Sequence, residues 1–127
     1  MTTRTISSIS SFVIPGIEHQ SLAGPADGLR QLEVWSQRVA PGGATPMHRH
    51  DCEEVIVVLE GRGRYETPTS AEDFVAPAVL TVAANAVHQI TNTGDGPMRL
   101  LAALSMAPVV VRTATGEVIP LPWGVAS

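Results

Sequence analysis

Two histidines separated by one residue begin the part of the sequence that is richest in potential metal ligands. His48 and His50 stand in PMHRHDCEEVIVVLEG, residues 46–61, where an acidic cluster follows them. If a strand begins here, both imidazoles project from the same face, because side chains alternate with a period of two. Glu54 would add a carboxylate oxygen four residues after His50. Nitrogen and oxygen ligands of this kind suit Fe, Mn, Ni, Co, Zn or Cu(II).

A further ligand has to come from elsewhere in the chain, which contains two other histidines. His88 begins a predicted strand just after a turn, and a strand that pairs with the one after His50 would bring it to the same pocket. His19 has no potential partner in its local sequence, and we interpret it as a core or surface residue. Glu53 stays open as an alternative to Glu54, because a small change of register would exchange the two carboxylates.

Short segments rich in β-branched residues predict an all-β protein. Turn signals separate them, such as APGG at 40–43 and NTGDGP at 92–97, and no window predicts an amphipathic helix. Many short strands at hairpin spacing are typical of an antiparallel sandwich or barrel, and a chain of 127 residues suits one domain. The predicted strands cover residues 32–39, 55–60, 79–83, 88–93, 98–105 and 109–113.

The charged residues and the single cysteine argue against several classes of protein. The formal net charge is -4, and the eight basic residues, all of them Arg, are spread without a run, so we expect no nucleic-acid partner. The absence of Lys excludes Schiff-base chemistry and a P-loop. Cys52 cannot form an internal disulfide, which fits a reducing, cytoplasmic location. No stretch approaches the ~20 apolar residues of a membrane span.

The spacing around the first two histidines resembles that of the cupin superfamily. The first cupin motif, G(X)5HXH(X)3-4E(X)6G, is met at every fixed position. Those positions are Gly42, His48, His50, Glu54 and Gly61. The match is specific, because all the fixed residues agree in identity and in spacing.

The second cupin motif, G(X)5PXG(X)2H(X)3N, is met at its end by His88 and Asn92. Its earlier glycine, proline and glycine are replaced by Pro77, Ala83 and Asn85. Asn tolerates a positive φ better than most residues, so a tight turn before His88 is compatible with the change at 85. Proline cannot adopt a positive φ, so the turn at 77 must differ from that of the motif.

The resemblance implies a single-domain antiparallel β-barrel, the double-stranded β-helix or jelly roll of RmlC-like cupins. It covers residues 32–106, which we expect to form the barrel core, after an N-terminal arm at 1–31 that is loosely held. A C-terminal strand and an extended tail, 107–127, would pack on the barrel. One divalent metal ion per chain is implied, with Fe expected first and Mn, Zn, Ni, Co or Cu as alternatives. The implied ligands are His48, His50, Glu54 and His88.

Several side chains are candidates for the walls of a substrate pocket. Trp35 could line the pocket, with Met47 packed at its edge. Tyr65 has the inward parity of a probable strand and would be a wall residue or a proton donor. Trp123, in IPLPWG, lies in a segment whose prolines suggest an extended tail that seals the barrel. Inward residues of the late strand would complete the pocket: Leu100, Ala102 and Leu104.

Two functions are compatible with such a centre. The first is a metal-dependent enzyme that acts on a small oxygen-bearing molecule, foremost a dioxygenase-type oxidoreductase, with lyase or isomerase chemistry next. Glu54 could then serve as ligand and as base. The second is a non-catalytic cupin module that contains a metal and binds or senses a small molecule.

The apolar run at 55–59 also predicts a partner for the chain. Every position of this run is apolar, so both faces of the strand should be covered, either by a second sheet or by another copy of the chain. We therefore expect a homodimer.

Overall fold

The computed structural model describes residues 3–124 and contains, within that range, nine strands and two short 3-10 helices, Ile6–Ser8 and Pro25–Asp27. The strands are β1 (Ser11–Ile14), β2 (Ile17–Ala23), β3 (Glu33–Val39), β4 (Glu54–Glu60), β5 (Arg62–Glu66), β6 (Ala71–Val75), β7 (Ala78–Val82), β8 (Gln89–Asn92) and β9 (Met98–Leu104). Residues 125–127, the end of the predicted tail, lie outside the described residues.

The strands form two sheets with a shared core. The larger sheet has the order β1-β2-β3-β9-β4-β7, and the smaller one has the order β6-β5-β8. Every neighbouring pair is antiparallel. The core draws Trp35, Ile56 and Leu100 from the larger sheet and Ile90 from the smaller one. The prediction of an all-β antiparallel jelly roll is confirmed.

The central strands of the larger sheet follow the period of two that their sequences predict. On β9, Met98, Leu100, Ala102 and Leu104 are at most 3% exposed, whereas the Arg99 between them is exposed. The apolar strand β4 also alternates, so its outer side chains are not covered within this chain. The inward side chains of these central strands form an apolar surface next to the residues that precede β4.

A glycine on β5 lets the smaller sheet approach the larger one. Gly63 is buried, and a Cβ atom built there would overlap Cε of Met98 and lie 2.5 Å from the Thr91 carbonyl oxygen. Any side chain would therefore push β5 away from β8 and β9.

The two ends of the chain differ from the sequence expectation. The arm expected to be loosely held contains β1 and β2, and β2 pairs with β3 along its length, apart from a bulge near Ser21. Residues 109–113 form no strand and make two isolated bridges at Arg112 instead. The partners are Arg49, in a loop segment, and Val118, and neither pairing extends into a ladder. β6 was also not predicted, because AEDFV lacks a clear alternation.

In the described range, no helix is long and apolar enough to cross a membrane.

Candidate metal centre

A backbone pair brings two of the predicted ligands together. The His48 amide donates to the His88 carbonyl at 2.9 Å, and the His88 amide donates to the His48 carbonyl at 2.8 Å. The turn before His88 is fixed by Asn85, which has the expected positive φ, 66°, and whose amide donates to the His50 carbonyl at 2.7 Å. His50 lies two residues beyond His48, so its side chain points into the same space.

The three imidazoles form a buried cluster. His48, His50 and His88 are 7%, 2% and 1% exposed. Each offers one ring nitrogen, and these nitrogens lie within 4.8 Å of one another. Three buried nitrogens at this spacing could hold a metal ion.

Hydrogen bonds to backbone carbonyls set the orientation of all three rings. The Nδ1 atoms of His48, His50 and His88 donate to the carbonyls of Pro46 at 2.6 Å, Val110 at 3.0 Å and Ala86 at 2.8 Å. With the proton on Nδ1, each Nε2 carries a free lone pair. Metal-ligating histidines are held in the same way.

Glu54 stands beside these nitrogens. Its Oε1 atom lies 3.3 Å from Nε2 of His88 and 3.7 Å from Nε2 of His50. The side chain is 5% exposed, whereas the adjacent Glu53 is exposed to solvent. Oε1 of Glu54 and Nε2 of His50 are both buried without a hydrogen-bond partner. Lone pairs that face each other at these distances need a cation or a proton between them, so the residues fit a divalent metal.

The electrostatics keep the imidazoles available as ligands. Burial, and secondarily the nearby His88, lowers the pKa of His48 to about 4. Burial likewise lowers the pKa of His50. Both rings are therefore neutral at pH 7, the form that binds metals.

The residues between the ligands form an outer network that ties the loop down. The Arg49 guanidinium donates to Oδ1 of Asn85 at 2.6 Å, and Nε of Arg112 donates to Oδ1 of Asp51 at 3.0 Å. Asp51 also lies 3.5 Å from the Arg49 guanidinium. These contacts attach the ligand loop to the turn before His88 and to the C-terminal segment.

An apolar cavity of about 120 Å³ opens beside the three histidines and Glu54. Its walls come from β1, β2, β3, β4, β8 and β9, and its cover comes from the C-terminal tail. Beyond the histidines and Glu54, two polar side chains contribute to the described lining, Gln37 and Thr45. The apolar wall residues include Ile14, Ile17, Trp35, Ile56, Leu100, Ile119 and Trp123.

The predicted pocket residues are distributed unevenly around this cavity. Trp35, Leu100 and Ala102 line it, whereas the lining among the described residues does not include Met47 or Leu104. Met47 is half-buried, and Leu104 is fully buried in the core. Tyr65 stacks against the ring of His88, with ring centroids 5.8 Å apart, outside the described lining. Burial raises the pKa of Tyr65, so its hydroxyl stays protonated.

An aromatic cluster that sequence reasoning did not connect lies at the cavity wall. His19 stacks on Trp123 with ring centroids 3.5 Å apart and contacts Trp35 edge-on at 5.0 Å. Its ring is satisfied, since Nδ1 accepts from Gln37 at 3.1 Å and Nε2 donates to Ser21 at 2.9 Å. His19 is therefore a core residue that anchors the tail to β2. The period-two parity of Ile17 and His19 was the one available signal.

A jelly roll with a buried histidine triad, two histidines before its fourth strand and one before its eighth, identifies the chain as a member of the cupin superfamily. The chain belongs, more narrowly, to the auxin-binding protein family, because the family model described as "Auxin binding protein" matches residues 2–121.

Individual relatives agree with this assignment. Auxin-binding protein 1 of Arabidopsis thaliana is 35% identical over 107 residues, 76% of this chain and 54% of that protein. Auxin-binding protein T85 of Nicotiana tabacum is 39% identical over 108 residues, 76% of this chain and 58% of that protein. The chain thus spans about half the length of these curated relatives. A solved cupin 2 domain-containing protein from Halorhodospira halophila is 29% identical with a TM-score of 0.65, covering 71% of this chain and 64% of that one.

We predict that divalent metal stabilises the protein through the triad. A ligand present at 100 times its dissociation constant raises the free energy of unfolding by about 2.7 kcal/mol, so Zn²⁺ or Co²⁺ should raise the melting temperature of the wild type. His88→Ala should lose most of that rise. His19→Phe, which changes the one histidine outside the centre, should keep it. An equal metal-induced rise in wild type and His88→Ala would contradict a triad site.

We also predict that His19 makes stability depend on pH. Burial lowers its pKa from 6.5 to about 3, so the unfolded chain binds the extra proton between these values. The stabilisation is complete above pH 6.5 and is lost as the pH falls toward 3, by up to about 1.4 kcal/mol per pH unit. His19→Phe keeps a ring against Trp123 and cannot titrate. Urea unfolding at pH 5, 6 and 7 should show a shallower pH dependence in the variant than in the wild type, and parallel profiles would refute the assignment.

Proposed function

We propose that this protein binds a small apolar carboxylate, built around a single aromatic ring, at a metal held by His48, His50, Glu54 and His88. The observation that carries the proposal is the position of the buried ligand cluster at one end of an apolar cavity. A bound divalent ion would supply a Lewis-acidic coordination site for an oxygen ligand. The apolar walls would receive the rest of the molecule.

Charge favours an anionic ligand. Three neutral imidazoles and one carboxylate leave a net charge of about +1 on a divalent ion. The cavity offers no other cationic side chain among its described lining residues, so the metal would be the partner of the anion. A carboxylate at the metal would complete the neutralisation of a buried charge.

The volume of the cavity favours a ligand with one ring. An engineered apolar cavity of roughly 150 Å³ in another protein binds benzene, and the cavity here measures about 120 Å³. Trp35 and Trp123 both line it, and the two indole rings lie nearly perpendicular, with centroids 5.6 Å apart. A planar ligand ring would find an indole face or edge on two sides. The names of the relatives support a small organic ligand of the auxin class, since both are described as auxin-binding proteins.

A dioxygenase-type reaction is the second candidate function. It is favoured by Glu54, whose Oε1 is buried beside the imidazoles without a hydrogen-bond partner and could act as a base if it left the metal. Fe is the metal this candidate needs, and the cytoplasmic location proposed from the single cysteine would help to keep it reduced. Oxygen consumption by the iron-loaded protein separates this candidate from simple binding.

We predict that phenylacetate binds only to the metal-loaded protein. Titration calorimetry on the Zn²⁺ form should detect binding, and removal of the metal with a chelator should abolish it. Trp35→Ala should weaken binding about 10-fold or more through the lost aromatic wall. Val75→Ala, on the exposed strand β6 of the smaller sheet, is the control and should bind normally.

Two outcomes would overturn the binding proposal. The first is equal affinity for phenylacetate with and without metal, because the carboxylate would then not reach the centre. The second is oxygen uptake with loss of the ligand in the anaerobically Fe(II)-loaded protein after exposure to air, which would favour the dioxygenase candidate. Indole-3-acetate, tested in parallel, measures whether the cavity accepts a second fused ring.

The outer face of the larger sheet supports a homodimer. Val55 and Leu59 on β4 are 42% and 47% exposed, and Val79 on the edge strand β7 is 62% exposed. An apolar patch of this kind on a sheet face is typical of a protein interface. Light scattering should give twice the 13.4 kDa chain mass, and Val79→Arg should reduce it to one chain. Val13→Arg on β1, exposed at the opposite edge of the sheet, should leave the mass unchanged. A monomeric wild type would contradict the prediction.

A further inference from the structure

A buried carboxylate outside the ligand cluster accepts hydrogen bonds from two residues that help to hold His50 in place. Glu33 begins β3 and is 6% exposed. Its Oε2 accepts a 2.6 Å hydrogen bond from Nε1 of Trp35, and its Oε1 accepts a longer bond, 3.4 Å, from the Val109 amide. A Cβ atom at Gly24 would lie 2.9 Å from Cγ of Glu33, so the side chain is closely enclosed. A carboxylate enclosed in this way is stable only with such donors.

The three ligand histidines are oriented by hydrogen bonds to carbonyls that lie at different distances along the chain. Two of them donate to carbonyls that lie two residues earlier in the chain. His50 instead donates to the carbonyl of Val110, 60 residues away. The direction of the His50 ring therefore depends on where a distant segment docks.

That segment, residues 109–112, belongs to no strand. It is attached at its two ends, and between them the Val111 carbonyl accepts from the Ile119 amide at 2.8 Å. At the far end, the backbones of Arg112 and Arg49 exchange two hydrogen bonds of 2.8 and 2.9 Å. At the near end, the Glu33 carboxylate accepts from Val109, directly before the carbonyl that receives the imidazole N–H. Glu33 is thus the side-chain anchor at the end nearest to that carbonyl.

Glu33 reaches the same histidine by a second contact. The indole of Trp35 meets the His50 ring edge-on, with centroids 6.1 Å apart and an interplanar angle of 75°. The hydrogen bond from Trp35 to Glu33 is short and charge-assisted, the kind that fixes a ring most firmly. The Glu33 carboxylate therefore holds both the indole ring beside His50 and the segment whose carbonyl accepts the hydrogen bond from the His50 imidazole.

We propose that Glu33 is a positioning residue for the metal centre, which fixes the tautomer and direction of the His50 imidazole by holding Trp35 with one oxygen and Val109 with the other. The inference rests on the proposed function, because it concerns how a ligand of that metal is oriented. Outer partners of metal ligands change affinity by about 10–100-fold when they are removed.

Glu33→Gln is the decisive substitution. The amide has nearly the same shape and keeps one acceptor oxygen, but its nitrogen cannot accept from Val109 or Trp35. Chelator competition should show Co²⁺ affinity about 10-fold weaker than in the wild type, and the visible Co²⁺ absorption spectrum should change, since it reports ligand geometry. Glu60→Gln, which neutralises an exposed carboxylate at the end of β4, should change neither.

The metal-free protein offers a second measurement that is independent of metal binding. Long-range ¹H–¹⁵N correlation spectra should show His50 protonated on Nδ1 in the wild type and a mixture of tautomers in Glu33→Gln. His48 and His88, which bond to local carbonyls, should keep their ring shifts and serve as internal controls.

The outcomes separate this inference from the proposed function. Unchanged His50 shifts and an unchanged Co²⁺ spectrum in Glu33→Gln would overturn the role of Glu33, even if the variant melted at a lower temperature. A wild type that binds no Co²⁺ would overturn the proposed function, while the metal-free spectra would still decide the role of Glu33. If Glu33→Gln does not fold, Trp35→Phe removes the indole donor and keeps a ring. It should shift the same His50 signals, and unshifted signals would refute the proposal.

Discussion

Unshared lone pairs in an apolar enclosure are the constraint on which the rest of this structure depends. The Nε2 atoms of His50 and His88 face Oε1 of Glu54 at 3.7 and 3.3 Å, and the carbonyl bonds at Nδ1 leave no proton to place between them. Such an arrangement costs several kcal/mol in a medium of low dielectric constant, unless a cation is shared. A metal would turn this repulsion into coordination, so that binding and stability become linked.

The contacts that hold the metal centre in place join residues at three different separations along the chain. The carbonyls of Pro46 and Ala86 are local and orient two rings wherever the loop goes. The backbone pair between His48 and His88 needs the sheet to close. The Val110 carbonyl, which accepts from His50, and the tail that covers the cavity come last in sequence. A complete centre therefore requires the whole fold, although its ligands lie within 41 positions of one another, 48 to 88.

The predictable part of the site is the part that depends on local spacing. His48, His50 and Glu54 enter one strand, so the period of two and the motif spacing suffice to group them, and His88 follows from the second motif. The strands at 33–39, 54–60 and 98–104 were predicted to within one or two residues, because their apolar side chains alternate or run continuously in the core. The fold class followed from these strands, whereas the superfamily followed from the resemblance to the cupin motifs.

The remainder depends on contacts between residues far apart in sequence. β2, IEHQSLA, carries polar residues among few apolar ones, and its pairing with β3 on one side and β1 on the other makes it a strand. The valines at 109–111 have the composition of a strand, yet the bridges of this segment lie at Arg112, to Arg49 in a loop and to Val118, and they do not extend. The sequence shows that Glu33 and Trp35 have the same parity on their strand. The burial of Glu33, however, comes from Gly24 and Val109, which no local sequence pattern connects to it.

The lining of the cavity favours the proposed binding function over the dioxygenase candidate. A reaction that moves protons needs a group that changes its protonation state beside the substrate. Among the described lining residues, Glu54 is the one carboxylate, and it already balances the charge of the centre. Tyr65 stacks on the ring of His88 outside that lining, and His19 is sealed between Trp123, Ser21 and Gln37. If Glu54 left a bound metal to act as a base, the buried cation would lose its only protein anion in this lining. The same charge balance that favours a carboxylate ligand therefore disfavours Glu54 as a base.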